Sequence, residues 1–340
     1  MCIFARDKTG RDVVRRNKRL AIWTFAIIFM GVVVMPLASY VYTAVSAAQA
    51  AAEKQTNPRA NYWRAVRDGV TGYTAVQGPE TNVLIQNGGQ NWRQVRNGPV
   101  ASIMPWVLAA VLGALLLWLI IRGQVKVESA PSGRTVARWN TAERVLHWYT
   151  AILFVLLAIT GLSLLFGRAA LIPVLGPAGF TAWATFAIYV HNYLSPFFIV
   201  GVVLEIIVWF RHNLPEKGDW EWIKQGGGYI GTGKHPHTGR INAGEKLFTF
   251  WIGLVVLGIA VSVTGLFLLG WIGSGMRETM QVANLIHAVA GVLWIALMLG
   301  HIYLGAWGVQ GAFSAMWTGE VSEEWAKQHH DLWYDEAKKG

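Results

Sequence analysis

The sequence predicts an all-α integral membrane protein, a four-helix bundle with one or two additional N-terminal transmembrane helices. Three observations carry that expectation. Of 340 residues, 54% are hydrophobic and only 14% charged, whereas soluble domains carry about 25% charged residues. Six apolar stretches approach or exceed the roughly 20 residues that cross a bilayer as a helix. The basic residues behind the net charge of +10 gather in alternate connections between those stretches, as in cytoplasmic loops. They form no nucleic-acid-like patch, so no nucleic-acid partner is expected.

Taken in order, the first stretch, Leu20–Tyr42, follows Arg11, Arg15, Arg16, Lys18 and Arg19, which sets the N-terminus in the cytoplasm. With Ala48-Gln49-Ala50 behind it, the segment 1–50 reads either as a cleaved secretory signal or as a retained anchor. Residues 51–100 are then periplasmic. Asn61-Tyr62-Trp63-Arg64 and Asn91-Trp92-Arg93 within them suit docking a partner or lying on headgroups equally well. The segment 101–136 returns to the cytoplasm through Ser102–Ile121 and ends in a basic linker.

The core, 137–340, holds Val145–Phe166, Ala182–Phe210, Leu247–Trp271 and Val282–Trp307. Its connections alternate in charge. The stretch 167–181 carries only Arg168, while 211–246 carries Arg211, Lys217, Lys224, Lys234, Arg240 and Lys246. The next connection has Arg277, and the C-terminal tail is again basic and cytoplasmic. No internal repeat or low-complexity segment stands out.

Four histidines fall inside the core spans: His147, His191, His287 and His301. Ionisable groups are costly in hydrocarbon, which makes each a functional candidate. His287 and His301 are fourteen residues apart, which is about 3.9 turns and roughly 21 Å of helix, so both rings leave one face near opposite membrane surfaces. His147 matches the depth of His301, and His191 that of His287. These pairs, His147 with His301 and His191 with His287, predict two bis-histidine haems stacked across the membrane. Two axial imidazoles leave no open position for oxygen chemistry, so such sites carry electrons. A lone membrane histidine is more often a helix–helix contact; the paired depths favour ligation. The one cysteine, Cys2, and the lack of C-x-x-C-H exclude covalent c-type haem, intrachain disulfides and cysteine-held iron–sulfur clusters.

Gly161, Gly201, Gly265 and Gly291 lie in the core spans, where they either admit a flat macrocycle or serve close helix packing. His212, His235, His237, His329 and His330 fall in cytoplasmic connections and are expected to be solvated or headgroup-facing.

Several segments resemble the cytochrome b (gamma) subunit of respiratory formate dehydrogenase. They are Glu143-Arg144-Val145-Leu146-His147-Trp148, Asn242-Ala243-Gly244-Glu245-Lys246, Leu285-Ile286-His287-Ala288-Val289-Ala290-Gly291, His301-Ile302-Tyr303 and Trp325-Ala326-Lys327-Gln328-His329-His330. The resemblance covers roughly residues 137–340. It implies a four-helix di-haem cytochrome b core in the bacterial inner membrane, carrying two haem b groups. It also implies an iron–sulfur (beta) partner and a molybdenum- or tungsten-pterin catalytic (alpha) partner on the periplasmic side. Electrons would enter at His191/His287, pass to His147/His301 and reduce a quinone, menaquinone or ubiquinone. The family's Asn-x-Gly quinone motif maps onto Asn242 and Gly244, with Glu245 and Lys246 placed to relay protons. From the residues alone, Asn242 reads as an ordinary helix N-cap. The chain has no pterin or cluster ligands and is not expected to oxidise formate itself.

Two other readings make different demands. A cytochrome b anchor for a nickel–iron hydrogenase or another molybdoenzyme would use the same electron path with a different donor. A transporter with a histidine proton relay would be colourless, and no broken-helix repeat supports it.

Overall fold

The structure is a computed structural model that describes Arg64, 67–69, 87–228, 236–273 and 275–339. The first apolar stretch, the Ala48-Gln49-Ala50 site and His235 lie outside the described residues. Among the described residues, five helices are long and apolar enough to cross a membrane. The longest apolar runs form helices because a backbone in hydrocarbon must satisfy its own hydrogen bonds.

The first described helix, α1 (Asn87–Val95), runs through an i→i+5 turn at Arg96–Val100 into α2 (Ala101–Ile121). The helix thus begins well before the expected start at Ser102. Gly98 leaves helical geometry, and Pro99 beside it has no N–H to give, so the chain kinks there. A linker then forms β1 (Thr135–Ala137).

Two helical hairpins build the core. The first is α3 (Thr141–Ala170) and α4 (Ile172–Trp209). The expected loop at 167–181 is nearly absent: helix continues almost unbroken to a kink at Gly176, whose φ of 68° only glycine adopts readily. The second hairpin is an i→i+5 stretch, Glu245–Gly258, running into α6 (Ile259–Leu268), and α7 (Arg277–Tyr303). Between the hairpins lies the short α5 (Asp219–Lys224). The helix α7 packs against α6, α2 and α1, and α3 lies along α4.

The hairpins share a pattern that the sequence reading did not find. Asn140-x-x-Glu143 opens the first and Asn242-x-x-Glu245 the second, each as a reciprocal capping box. Thr160-Gly161-Leu162-x-Leu164-Leu165 recurs as Thr264-Gly265-Leu266-x-Leu268-Leu269. His191 and Glu205 on α4 have the same spacing as His287 and His301 on α7. The second copy has two more residues between cap and Thr-Gly, in the segment wound with i→i+5 bonds, and this offset hides the repeat.

After α7 come α8 (Ala312–Trp317), β2 (Glu320–Ser322), α9 (Glu323–His329) and α10 (Asp331–Ala337). Strand β2 pairs antiparallel with β1, Val136 opposite Val321. The tail therefore folds back over the ends of α3 and the second hairpin. We call this the tail end of the bundle and the opposite end the far end.

His329 and His330 are buried, not solvated as expected. His330 accepts from Arg138 Nη2 through Nε2 at 3.1 Å and donates from Nδ1 to the Gly239 carbonyl at 2.8 Å. Burial, reinforced by the Arg138 charge, pushes its pKa well below the usual histidine value, which keeps the ring neutral. The Arg138 guanidinium lies over Trp139, Trp325 and Trp333 at 5.5, 5.0 and 5.0 Å. This cation–π cage fastens the tail to the base of α3.

Candidate functional site

The helix α7 carries His287 and His301, and each meets a histidine from another helix. The ring centroids of His191 and His287 are 6.1 Å apart, and those of His147 and His301 are 6.2 Å apart. A metal–imidazole bond is about 2 Å and the ring centre lies roughly 1 Å beyond the nitrogen, so two rings on one metal have centres about 6 Å apart.

At the far end both rings are braced alike. Thr160 Oγ1 donates to the Leu156 carbonyl at 2.8 Å and lies 2.9 Å from His191 Nδ1. Thr264 Oγ1 donates to the Ala260 carbonyl at 2.6 Å and lies 3.1 Å from His287 Nδ1, which also reaches the Val261 carbonyl at 3.0 Å. Each hydroxyl spends its proton on its own helix, so each imidazole donates from Nδ1. Nε2 then keeps its lone pair for a metal.

The next residue in each copy is glycine. A Cβ at Gly161 would sit 3.1 Å from His191 Cε1, and one at Gly265 would sit 3.4 Å from His287 Cε1. These glycines let the rings lie on the helix backbone. Gly201 instead faces Thr150 and Tyr149 as helix packing, and Gly291 faces open space.

The far-end rings, with Gly161, Gly265 and Gly291, line a cavity of about 350 Å³. Its walls are mainly leucine, isoleucine, valine and phenylalanine, the setting of a cofactor site. Phe154, Phe198 and Trp294 close it toward the bundle centre. Phe154 and Phe198 lie 5.1 and 5.5 Å from Trp294 between ring centroids. Each of these residues is seven positions beyond a histidine, so the aromatic cluster stands midway between the two pairs.

The tail-end pair has a barer setting. His147 Nδ1 is buried and has no hydrogen-bond partner. Its ring stands edge-on to Trp148 at 5.4 Å, and Trp148 donates to the Met316 carbonyl at 2.9 Å, tying the site to α8. Among the described residues no three His, Cys, Asp or Glu side chains converge on one point. Pairs of imidazoles suit an iron whose other four ligands come from a macrocycle.

A family model described as prokaryotic cytochrome b561 matches residues 138–319. The chain belongs to that family. It is a multi-pass membrane cytochrome b that binds haem b and transfers electrons. Its relatives include the formate dehydrogenase cytochrome b556(fdo) subunit of Escherichia coli K12, 32% identical over 216 residues covering 60% of this chain and 94% of that one. The nitrate-inducible formate dehydrogenase cytochrome b556(Fdn) subunit of the same strain is 29% identical over 219 residues, 61% of this chain and 93% of the relative. The formate dehydrogenase cytochrome b556 subunit of Haemophilus influenzae is 29% identical over 216 residues, 62% and 87% respectively. The extension before residue 138 lies outside the family match.

In this cytochrome, Asn242 and Gly244 lie at the tail end, where the second hairpin begins. Asn242 Oδ1 accepts from Glu245 N at 2.8 Å, so the residue caps the helix. Gly244 does admit a close neighbour, and that neighbour is Trp222 of α5: a Cβ there would lie 2.6 Å from its ring. Lys246 is buried and held by Asp219 at 3.1 Å and Glu216 at 3.3 Å.

Sequence reasoning missed four participants. Thr160 and Thr264 were legible only through the repeat. Trp222 gave no signal, since its partner Gly244 is distant in sequence. Glu205, an intramembrane carboxyl against the Thr150 hydroxyl, occupies on α4 the position His301 holds on α7.

Proposed function

We propose that this chain is the membrane-anchoring di-haem subunit of a formate dehydrogenase, passing electrons across the bacterial inner membrane to quinone. The observation that carries it is the equal spacing of two histidine pairs about fourteen residues of α7 apart, each gap sized for one shared metal. His191 and His287 hold one haem b, and His147 and His301 the other. Bis-histidine haem supplies a one-electron carrier with no open coordination site. The protein orients the rings, excludes water between the sites with Phe154, Phe198 and Trp294, and fixes the end-to-end distance through α7.

The alternation of basic connections supports a cytoplasmic C-terminus, which sets the far end on the periplasmic side. The relatives' names support formate dehydrogenase partners there: an iron–sulfur subunit, and behind it a molybdenum- or tungsten-pterin subunit that oxidises formate. Quinone, menaquinone or ubiquinone, binds at the tail end. Asn242 still has its amide N–H to donate to a quinone carbonyl, and Gly244 with Trp222 seated on it offers a flat apolar wall. Acidic and basic groups behind them, Glu245, Lys246, Asp219 and Glu216, connect that wall toward the aqueous side.

The test is to purify the complex from membranes without added detergent exchange, identify its subunits and add formate. Reduction of b-type haem by formate, with a pterin subunit co-purifying, is the expected result. A nickel–iron hydrogenase subunit and reduction by hydrogen alone would assign the same electron path to another donor.

A further inference from the structure

The far-end cavity is apolar except for a few neutral polar groups, and among the described residues lining it only Arg96 carries a fixed charge. Arg96 comes from the extension, outside the segment that matches the family. It sits at the first residue of the kinked turn, half-buried, where the break at Gly98 and Pro99 turns the helix against the core. Trp92, one turn earlier, donates to Asn284 Oδ1 of α7 at 3.1 Å and holds this turn in place.

Arg96 is poorly satisfied by protein alone. Nη2 donates to the Leu164 carbonyl at a long 3.3 Å, and Nη1 donates to the neighbouring Asn97 Oδ1 at 2.9 Å. The charge that bears on it is a like one, Arg168 at the end of α3. Among the described residues neither arginine has a carboxylate within ion-pair distance. A guanidinium on the wall of an apolar cavity, with no acid paired to it, calls for an anionic ligand, and arginine matches carboxylates in geometry as well as charge.

We propose that Arg96 binds a carboxylate of the haem seated between His191 and His287, making the extension a working part of that site. Haem b carries two carboxylate side chains at one edge, and Arg96 marks the wall of the cavity toward which they would turn. The extension thereby does more than add a membrane span: it closes one haem site and leaves the other untouched. This rests on the haem reading above.

The experiment is a redox titration of the purified complex, with haem content, for Arg96→Gln, Arg96→Lys and, as a control, Arg93→Gln on the exposed side of α1. Removing the positive charge disfavours the reduced haem. The expected result for Arg96→Gln is about a tenfold shift in the reduction equilibrium of one haem, near 59 mV toward lower potential for one electron. The second haem stays unchanged, and Arg96→Lys recovers most of the shift. An unchanged titration and haem content in Arg96→Gln, or an equal shift in Arg93→Gln, would overturn the proposal. Wild-type protein without far-end haem would instead overturn the site reading on which it rests.

Discussion

The two histidine pairs have the same ring spacing and very different surroundings. At the far end, each ring comes from the second helix of a hairpin and is gripped by a Thr-Gly pair on the first helix of that hairpin. At the tail end, His147 comes from the start of α3, its Nδ1 has no partner, and its support is tryptophan and the folded-back tail. Where the repeat would supply a second α4 ligand at the tail end, Glu205 stands instead. The spacing thus follows from helix geometry, whereas the bracing follows from the repeat, and one can be changed without the other. The far-end site is braced from both hairpins; the tail-end site lies near the capping boxes and the ion pairs of Lys246.

That contrast can be broken most sharply at the ligands. His287→Ala and His301→Ala should each remove one b-type haem, halving pyridine haemochrome content, and the two residual difference spectra should differ from one another. Retention of full haem content in either variant would refute that ligand assignment.

The bracing is the next largest effect. Thr264→Val removes one of the two acceptors beside His287 Nδ1 while keeping the side chain's shape, and loss of outer partners of this kind costs about 10- to 100-fold in metal affinity. The far-end haem should be lost more readily on dilution or dialysis, with the tail-end haem unaffected. Equal loss from both sites would mean that the threonine serves the fold and not the ring.

A smaller change is expected at Gly161→Ala. The added methyl would meet His191 Cε1 at 3.1 Å, so the ring must give by a few tenths of an ångström. A severalfold weakening of the far-end site with a shifted difference spectrum is the expected outcome, whereas Gly113→Ala in α2, where an added methyl meets nothing within 4 Å, should leave both haems as they are.

The smallest effect sits in the tail. The Asp331 carboxylate, through its hydrogen bond to His237 and then its charge, raises the His237 pKa above its ordinary value. The pair's contribution is therefore full below the ordinary histidine pKa and is lost as pH rises through the raised one. The pair is exposed, so the contribution is small. Hydrogen exchange of α10 should quicken slightly as pH rises through that window, and His237→Asn should abolish the step.

Much of this was legible in sequence because hydrocarbon imposes simple rules. Apolar length marked the spans, and ionisable residues within them marked the histidines. Their shared depths followed from counting residues along α7. Other features depend on contacts between segments far apart in the chain. Thr160 and Thr264 resemble any membrane threonine bonding back to its own helix. The two-residue offset in the second hairpin concealed that they are a pair. His330 looked solvated because its burial requires the tail to return to Arg138, 192 residues away. The role of Arg96 depends on how an extra helix seats against the core, which hydropathy does not encode.

The most direct test of the central claim is haem content per chain in the purified protein from haem-replete cells, read by pyridine haemochrome with a reduced-minus-oxidised spectrum. Two b-type haems per chain is the predicted result. A folded preparation carrying none would contradict the account outright, and one carrying a single haem that survives both His287→Ala and His191→Ala would contradict the far-end site.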